Sequence, residues 1–188
     1  MIYVCYADIS SVKNYQSKLE TFCKARREYL NSISFLPRRK QSACAWALLQ
    51  KALLTSNLDM SNFDFCLDQN GKWFEKNNSF YFSISHSKNI VCVALSNTPI
   101  AIDVEKCDEK LLCVSKLFPD VKLTNINSKD ICNLSIKWTE RECSLKQQNL
   151  TIFNNYFVKD SENLDYCISV SSNDNLLLKN SIVKEIID

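Results

Sequence analysis

Glycine is almost missing from this chain: among 188 residues it occurs once, at Gly71. A backbone that must turn left-handed therefore has a single permissive residue, and Gly71, just ahead of Lys72, marks a point of unusual backbone geometry. Proline occurs three times, and no linker, low-complexity segment or charge run separates domains. Histidine also occurs once, at His86, and no CxxC pair exists, which argues against a zinc site despite ten cysteines. The cysteines are mostly far apart and sit among apolar neighbours, as Cys92 does in Ile90-Val91-Cys92-Val93. They read as small buried hydrophobes in a reducing compartment. No apolar run is long enough to span a bilayer. Met1-Ile2-Tyr3-Val4-Cys5-Tyr6-Ala7 reads as an edge strand and not as a signal peptide, so a cytoplasmic location away from membranes is expected.

What remains is an ordinary globular composition, 46% apolar and 23% charged. At this length roughly 70% of the unfolded surface can be buried, so the core needs no staple. The net charge of +2 is too mild to imply nucleic acid. Its distribution says more. Lys24, Arg26 and Arg27, then Arg38, Arg39 and Lys40, form two basic clusters, which are either a solvated helix face or a landing site for phosphates or an acidic partner. Acidic residues gather around Asp103, Glu105, Asp108 and Glu109.

The pattern predicts a strand at 2–7, helix at 11–30, and a second helix from about Pro37, a good first-turn residue, to Leu54. On that helix Ala43, Ala47, Leu48 and Leu54, with Trp46, mark one buried face. A strand at 63–67 meets the turn signal Asp68-Gln69-Asn70-Gly71. Strands follow at 79–84, 89–95 and 100–105, helices at 109–116 and 129–148, and strands near 153–158, 165–171 and 176–183. The order of elements is similar before and after about residue 95. This suggests an α+β fold of two halves, 1–95 and 96–188, packed as one unit.

Three stretches carry the chemistry: Phe82-Ser83-Ile84-Ser85-His86-Ser87, Ile102-Asp103-Val104-Glu105-Lys106, and Trp138-Thr139-Glu140-Arg141-Glu142-Cys143-Ser144-Leu145-Lys146. If the turn Asn97-Thr98-Pro99 is tight, 89–95 and 100–105 form an antiparallel hairpin. That pairing would bring the loop Ser85-His86-Ser87 beside Asp103 and Glu105. Alternation puts Ile100, Ile102 and Val104 on one face, and Ala101, Asp103 and Glu105 on the other. Two carboxylates at i and i+2 beside a small residue form either a cup for a hard cation or an exposed polar face. Trp138, Glu142 and Lys146 share a helix stripe. A Glu–Lys pair of this spacing is commonly a surface ion pair, but tryptophan on the same stripe implies partial burial. Mg²⁺ takes one or two carboxylates and completes its octahedron with phosphate oxygens and water. The serines, His86 and Lys72 supply donors to such phosphates.

In these residues the chain resembles the Sfp-type 4′-phosphopantetheinyl transferases. That family carries Phe-Asn-x-Ser-His-Ser, Ile-Gly-Ile-Asp-x-Glu and Trp-x-x-Lys-Glu-x-x-x-Lys in this order, after a Gly-Lys-Pro motif matched in part by Gly71-Lys72. The similarity covers about residues 35 to 150. Ser83, Ala101, Trp73 and Arg141 depart from the motifs, and Gln147-Gln148-Asn149-Leu150 stands where glycines usually follow the motif lysine. The resemblance implies two similar α+β halves related by a pseudo-twofold axis. It implies that Mg²⁺ bridges the pyrophosphate of coenzyme A, whose phosphopantetheine passes to a serine of an acyl or peptidyl carrier protein. Asp103, Glu105 and Glu142 would hold the metal. Glu142, Lys146 and Asp103 would form the catalytic set. Arg38, Lys40, Ser42, Gly71, Lys72, Ser83, Ser85 and His86 would bind coenzyme A. With both halves in one chain, a monomer suffices. Two other readings are a degenerate relative that binds without turnover and a metal-dependent nuclease; the second lacks a Glu-x-Lys spacing at residues 103–106.

Overall fold

Two sheets, antiparallel except where a two-residue strand joins the first in parallel, lie back to back, with one long helix on the outer face of each. The computed structural model describes residues 2–121, 127–173 and 182–187. In the first sheet the strand order is β4 (Tyr81–Ser87), β5 (Ile90–Ser96), β1 (Ile2–Asp8) and β9 (Val183–Lys184). In the second it is β6 (Ile100–Lys106), β8 (Asp165–Ser172) and β7 (Ile152–Lys159). A small hairpin joins β2 (Phe65–Leu67) to β3 (Trp73–Glu75). The helices are α1 (Gln16–Leu19), α2 (Lys24–Ser32), α3 (Leu36–Thr55) and α4 (Ser128–Lys146), with a 3₁₀ stretch at Glu109–Leu117. The fold is α+β. Among the described residues, no helix is long and apolar enough to cross a membrane.

Strand β5 explains the layering. All seven of its residues are buried, because its two faces serve two cores. Val91, Val93 and Leu95 join Trp46, Leu48, Leu49, Ala52 and Leu53 of α3. Ile90, Cys92 and Ala94 meet Ile102 and Val104 of β6 and Ile168 and Val170 of β8. Each fully buried aliphatic side chain contributes roughly 1.5–3 kcal/mol. On the far side, Cys143 of α4 packs with Ala101 of β6 and Leu150. Helix α3 is buried around much of its circumference, so its buried set includes Leu53 while Leu54 is 65% exposed, the reverse of the single-stripe reading.

Several expectations change. The hairpin between 89–95 and 100–105 does not form: both edges of β5 are already taken, by β4 and β1, so β6 pairs with β8 in the other sheet. Ser85-His86-Ser87 is not a loop. It continues β4 in register with Ile90–Cys92, closed by a two-residue turn in which Lys88 adopts φ 50°. Strand β1 is no edge strand, since β5 covers it along its length and β9 pairs at Cys5 and Tyr6. The helix expected at 11–30 is broken, with Cys23 extended at ψ 155° ahead of α2. The expected strand at 176–183 lies mostly outside the described residues. Gly71 does take a left-handed conformation, φ 80°. Elsewhere asparagine fills that role: Asn57, Asn78, Asn149 and Asn163 all have φ between 54° and 65°. All ten cysteines are free, five of them buried.

Candidate functional site

The site forms where β4, the edge of one sheet, runs beside β6, the edge of the other. No backbone ladder links these strands; serine hydroxyls do. Ser83, Ser85 and Ser87 stand at alternate positions, and therefore on one face, of β4. The Ile102 N–H donates to Ser83 Oγ at 3.2 Å. Ser85 Oγ donates to Asp103 Oδ1 at 2.8 Å, and Ser87 Oγ to Glu105 Oε2 at 3.0 Å. Ser87 Oγ also accepts from the Lys106 N–H at 3.3 Å. The serine strand and the carboxylate strand thus lie side by side, although the connection differs from the expected hairpin.

Helix α4 supplies the next groups. It starts with a reciprocal cap: Asn127 Oδ1 accepts from the Lys129 and Asp130 N–H groups, and Asp130 Oδ2 from the Asn127 N–H. Thr139 and Cys143 fix its rotation, with Thr139 Oγ1 2.5 Å from Ser169 Oγ and Cys143 Sγ donating to the Ser169 carbonyl at 3.2 Å. The adjacent stripe of Trp138, Glu142 and Lys146 then faces the seam. Lys146 Nζ donates to Asp103 Oδ1 at 2.7 Å and to the Ile102 carbonyl at 2.9 Å. Burial, the largest influence on Lys146, pulls its pKa down, but the charge and hydrogen bond of Asp103 outweigh it and the net direction is up.

Asp103 is the electrostatic centre. Burial and then the charge of Asp103 raise the pKa of Glu105, against the hydrogen bond from Ser87, the nearby Trp138 side chain and Lys146. Burial and Asp103 likewise raise Glu142, opposed by Lys146 and Arg141. Asp103 Oδ2 is buried with no hydrogen-bond partner. A bare carboxylate oxygen, with two neighbouring carboxylates whose pKa values are raised, is a donor set a divalent cation would relieve. Among the described residues no three histidine, cysteine or acidic side chains already form a cage for a metal ion. A cation bound through one or two carboxylates and a substrate's oxygens needs no such cage.

On the other side of Lys146 a cavity of ≈290 Å³ opens. Arg26, Arg38, Lys72 and Lys146 line it with Ser42, Gly71, Ser83, Ser85 and His86. Lys72 gets there through its turn, whose Asp68 Oδ1 accepts from the Asn70 and Lys72 N–H groups, both at 2.8 Å. Lys72 Nζ then donates to the Lys146 carbonyl at 2.9 Å and to Gln147 Oε1 at 3.1 Å, at the negative end of α4. Burial lowers the Lys72 pKa, with repulsion from Lys146 adding to it and Asp68 opposing. His86 responds most: burial first, then Lys146, Arg38 and Arg26, push it down to about 4. Its imidazole is neutral near pH 7 in a cavity rich in positive charge.

Arg26, read in the sequence only as one of a basic cluster, and Trp73, read only as a departure from a motif, join the cavity wall. Arg26 is 1% exposed, lies under Tyr29, Trp46 and Trp73 with its guanidinium carbon 4.6–5.1 Å from their ring centres, and has an unpartnered Nε. It donates to the Ser42 carbonyl and Oγ, each at 2.7 Å, and burial lowers its pKa to about 10. No carboxylate lies within ion-pair distance of it among the described residues. A buried cation of this kind suits an anionic ligand. Lys40 is not brought to this cavity. It borders a separate cavity of ≈420 Å³ with Leu36, Pro37 and Lys88. On a helix Arg38 and Ser42 share a face, and Lys40, two residues from each, turns away.

The arrangement sets a chamber lined by Arg26, Arg38 and Lys72 beside Asp103, with Lys146 at the boundary. A scan against protein-family models gives no match to this chain, and a search of curated proteins finds none similar to it.

Proposed function

We propose that the protein transfers the 4′-phosphopantetheine group of coenzyme A to a serine of an apo acyl or peptidyl carrier protein, releasing 3′,5′-ADP, with Mg²⁺ required. The observation that carries this reading is the cation-lined cavity whose wall residues Lys146 and Ser85 both bond to Asp103, the carboxylate whose charge is felt by Glu105 and Glu142. The ordered motif resemblance suggests the reaction, and this geometry supports it. The reading includes two similar halves related by a pseudo-twofold axis. In support, β1–α3–β4–β5 and β6–α4–β7–β8 follow one plan, and their sheets run β4-β5-β1 and β7-β8-β6.

In this reading Arg26, Arg38, Lys72 and neutral His86 bind the phosphates of coenzyme A in the cavity. Asp103, Glu105 and Glu142 would hold the metal, which when bound would supply positive charge to offset that of the phosphates. Glu142 accepts the proton of the carrier serine, directly or through a water. A bond forms from the serine oxygen to the β-phosphorus, and the bond to the oxygen of the departing 3′,5′-ADP breaks. Lys146, charged and held by Asp103, steadies the charge that develops on the transferring group.

The test is to mix the chain with coenzyme A, Mg²⁺ and several apo carrier proteins and to measure intact carrier mass. One added phosphopantetheine is expected, lost with EDTA or with Glu142→Ala. No addition to any carrier refutes the assignment. The contact of Lys146 with Asp103 also supports a second reading, in which the chain binds coenzyme A without turnover; tight binding with no transfer would select it.

A further inference from the structure

A hydroxyl has one proton, and at this seam two of the serine protons are already committed. Ser85 Oγ gives its proton to Asp103 Oδ1 at 2.8 Å, and Ser87 Oγ gives its own to Glu105 Oε2 at 3.0 Å. Neither is left to donate to a phosphate, the role that the motif resemblance implies for Ser85. The strands that carry these partners belong to different sheets. The register of Asp103 and Glu105 against the cavity wall is thus set by side chains, in steps of two residues, with Ser83 accepting from the Ile102 N–H as the third rung.

We infer that Ser85 and Ser87 are positioning residues for the two carboxylates and do not bind the phosphates of the substrate. By engaging Oδ1 of Asp103 together with Lys146, Ser85 fixes the carboxylate and leaves the buried Oδ2 without a partner, the oxygen available to a cation. By engaging Oε2 of Glu105 while accepting from the Lys106 N–H, Ser87 joins that carboxylate to its own strand's backbone. Hydrogen bonds of this kind orient ligands and tune their basicity, and their loss typically weakens metal binding 10- to 100-fold. The inference rests on the metal site of the proposed function and adds the residues that hold it in shape.

The experiment uses Mn²⁺ alone, followed by the loss of its free electron-paramagnetic-resonance signal, and 3′,5′-ADP binding measured by calorimetry in EDTA. The parent chain is compared with Ser85→Ala, Ser87→Ala, Ser85→Thr and Ser87→Thr, with thermal melts to check folding. Each alanine variant is expected to lose about 10-fold or more in Mn²⁺ affinity, each threonine variant to stay near the parent, and metal-free 3′,5′-ADP binding to change less than about twofold. Should an alanine variant not fold, the matching cysteine variant, Ser85→Cys or Ser87→Cys, keeps the size, weakens the donor and takes its place. Unchanged Mn²⁺ affinity beside a parent that binds Mn²⁺ overturns the inference and leaves the metal site standing. Weakened metal-free 3′,5′-ADP binding in Ser85→Ala also overturns it, by returning that hydroxyl to a phosphate. A parent that takes up no Mn²⁺ overturns the carboxylate site and this inference together.

Discussion

His86 is the only histidine of the chain, so its ring protons give one titrating signal that needs no assignment. Burial and the charges of Lys146, Arg38 and Arg26 push its pKa from 6.5 down to about 4. The unfolded chain then binds more protons than the native one throughout the window between these values. Stability is therefore full above pH 6.5 and falls as the pH drops toward 4. At 1.36 kcal/mol per pH unit the gap sets a ceiling of about 3 kcal/mol; His86 keeps some solvent contact, which brings the expectation to about 2 kcal/mol. Glu105 and Glu142, with raised pKa values, act in the opposite sense, because the native state takes up their protons first. The comparison with His86→Gln isolates the imidazole: urea unfolding at pH 7 and pH 4 should show the parent losing about 2 kcal/mol more than the variant. Proton NMR of the ligand-free chain should place the imidazole pKa well under 6. Saturating 3′,5′-ADP or inorganic phosphate should lift it by about one pH unit or more, since a bound anion offsets the three cations. A ligand-free value between 6 and 7, or no rise with either anion, would refute the reading of the cavity as a concentrated positive site.

Asp103→Asn removes the charge facing Lys146, whose ammonium is left with neutral acceptors alone, the Ile102 carbonyl and the amide oxygen of the new side chain. With the Asp103 side chain 7% exposed, a loss of about 3 kcal/mol is expected by urea unfolding at pH 7, together with loss of carrier modification. Gly71→Ala should cost about 1 kcal/mol from its φ of 80° alone, because no atom lies within 4 Å of the added carbon; Gly71→Asn should cost less, as seen by thermal melts. Toward a disulfide reagent in the native state, Cys23 and Cys113 should react first, being exposed. Cys5, Cys44, Cys92, Cys143 and Cys167 should stay silent until denaturant is added, since they are buried and burial pushes their pKa values up.

Much of the fold follows from local signals. Pro37 near a helix start, the alternation of Ile100 to Glu105 and the Trp138–Glu142–Lys146 stripe each depend only on neighbours in sequence, and the structure has α3, β6 and α4 there. Which strands pair is a question of edges elsewhere. The tight turn at Asn97-Thr98-Pro99 looked like a hairpin, yet β1, some ninety residues earlier, already fills the place beside β5. Strand β3, three residues long, is too short to show a period. At the site, grouping Arg38, Lys40 and Ser42 as sequence neighbours ignored helical rotation, which separates Lys40 from the others. Arg26 was legible only as part of a basic cluster. Tyr29 one turn later hinted at a covered face, but Trp46 and Trp73, which complete its surroundings, come from distant segments.

The left-handed asparagines have a consequence for the state the folded chain is measured against. Glycine at positions 57, 78, 149 and 163 would bend as readily but would also let the denatured chain wander more widely. Holding a side chain at each of these bends narrows that ensemble, an effect of roughly 0.4–1 kcal/mol per site where the bend itself is tolerated. Part of this protein's resistance to unfolding thus lies in freedom its disordered form never possesses, and no contact in the native structure accounts for it.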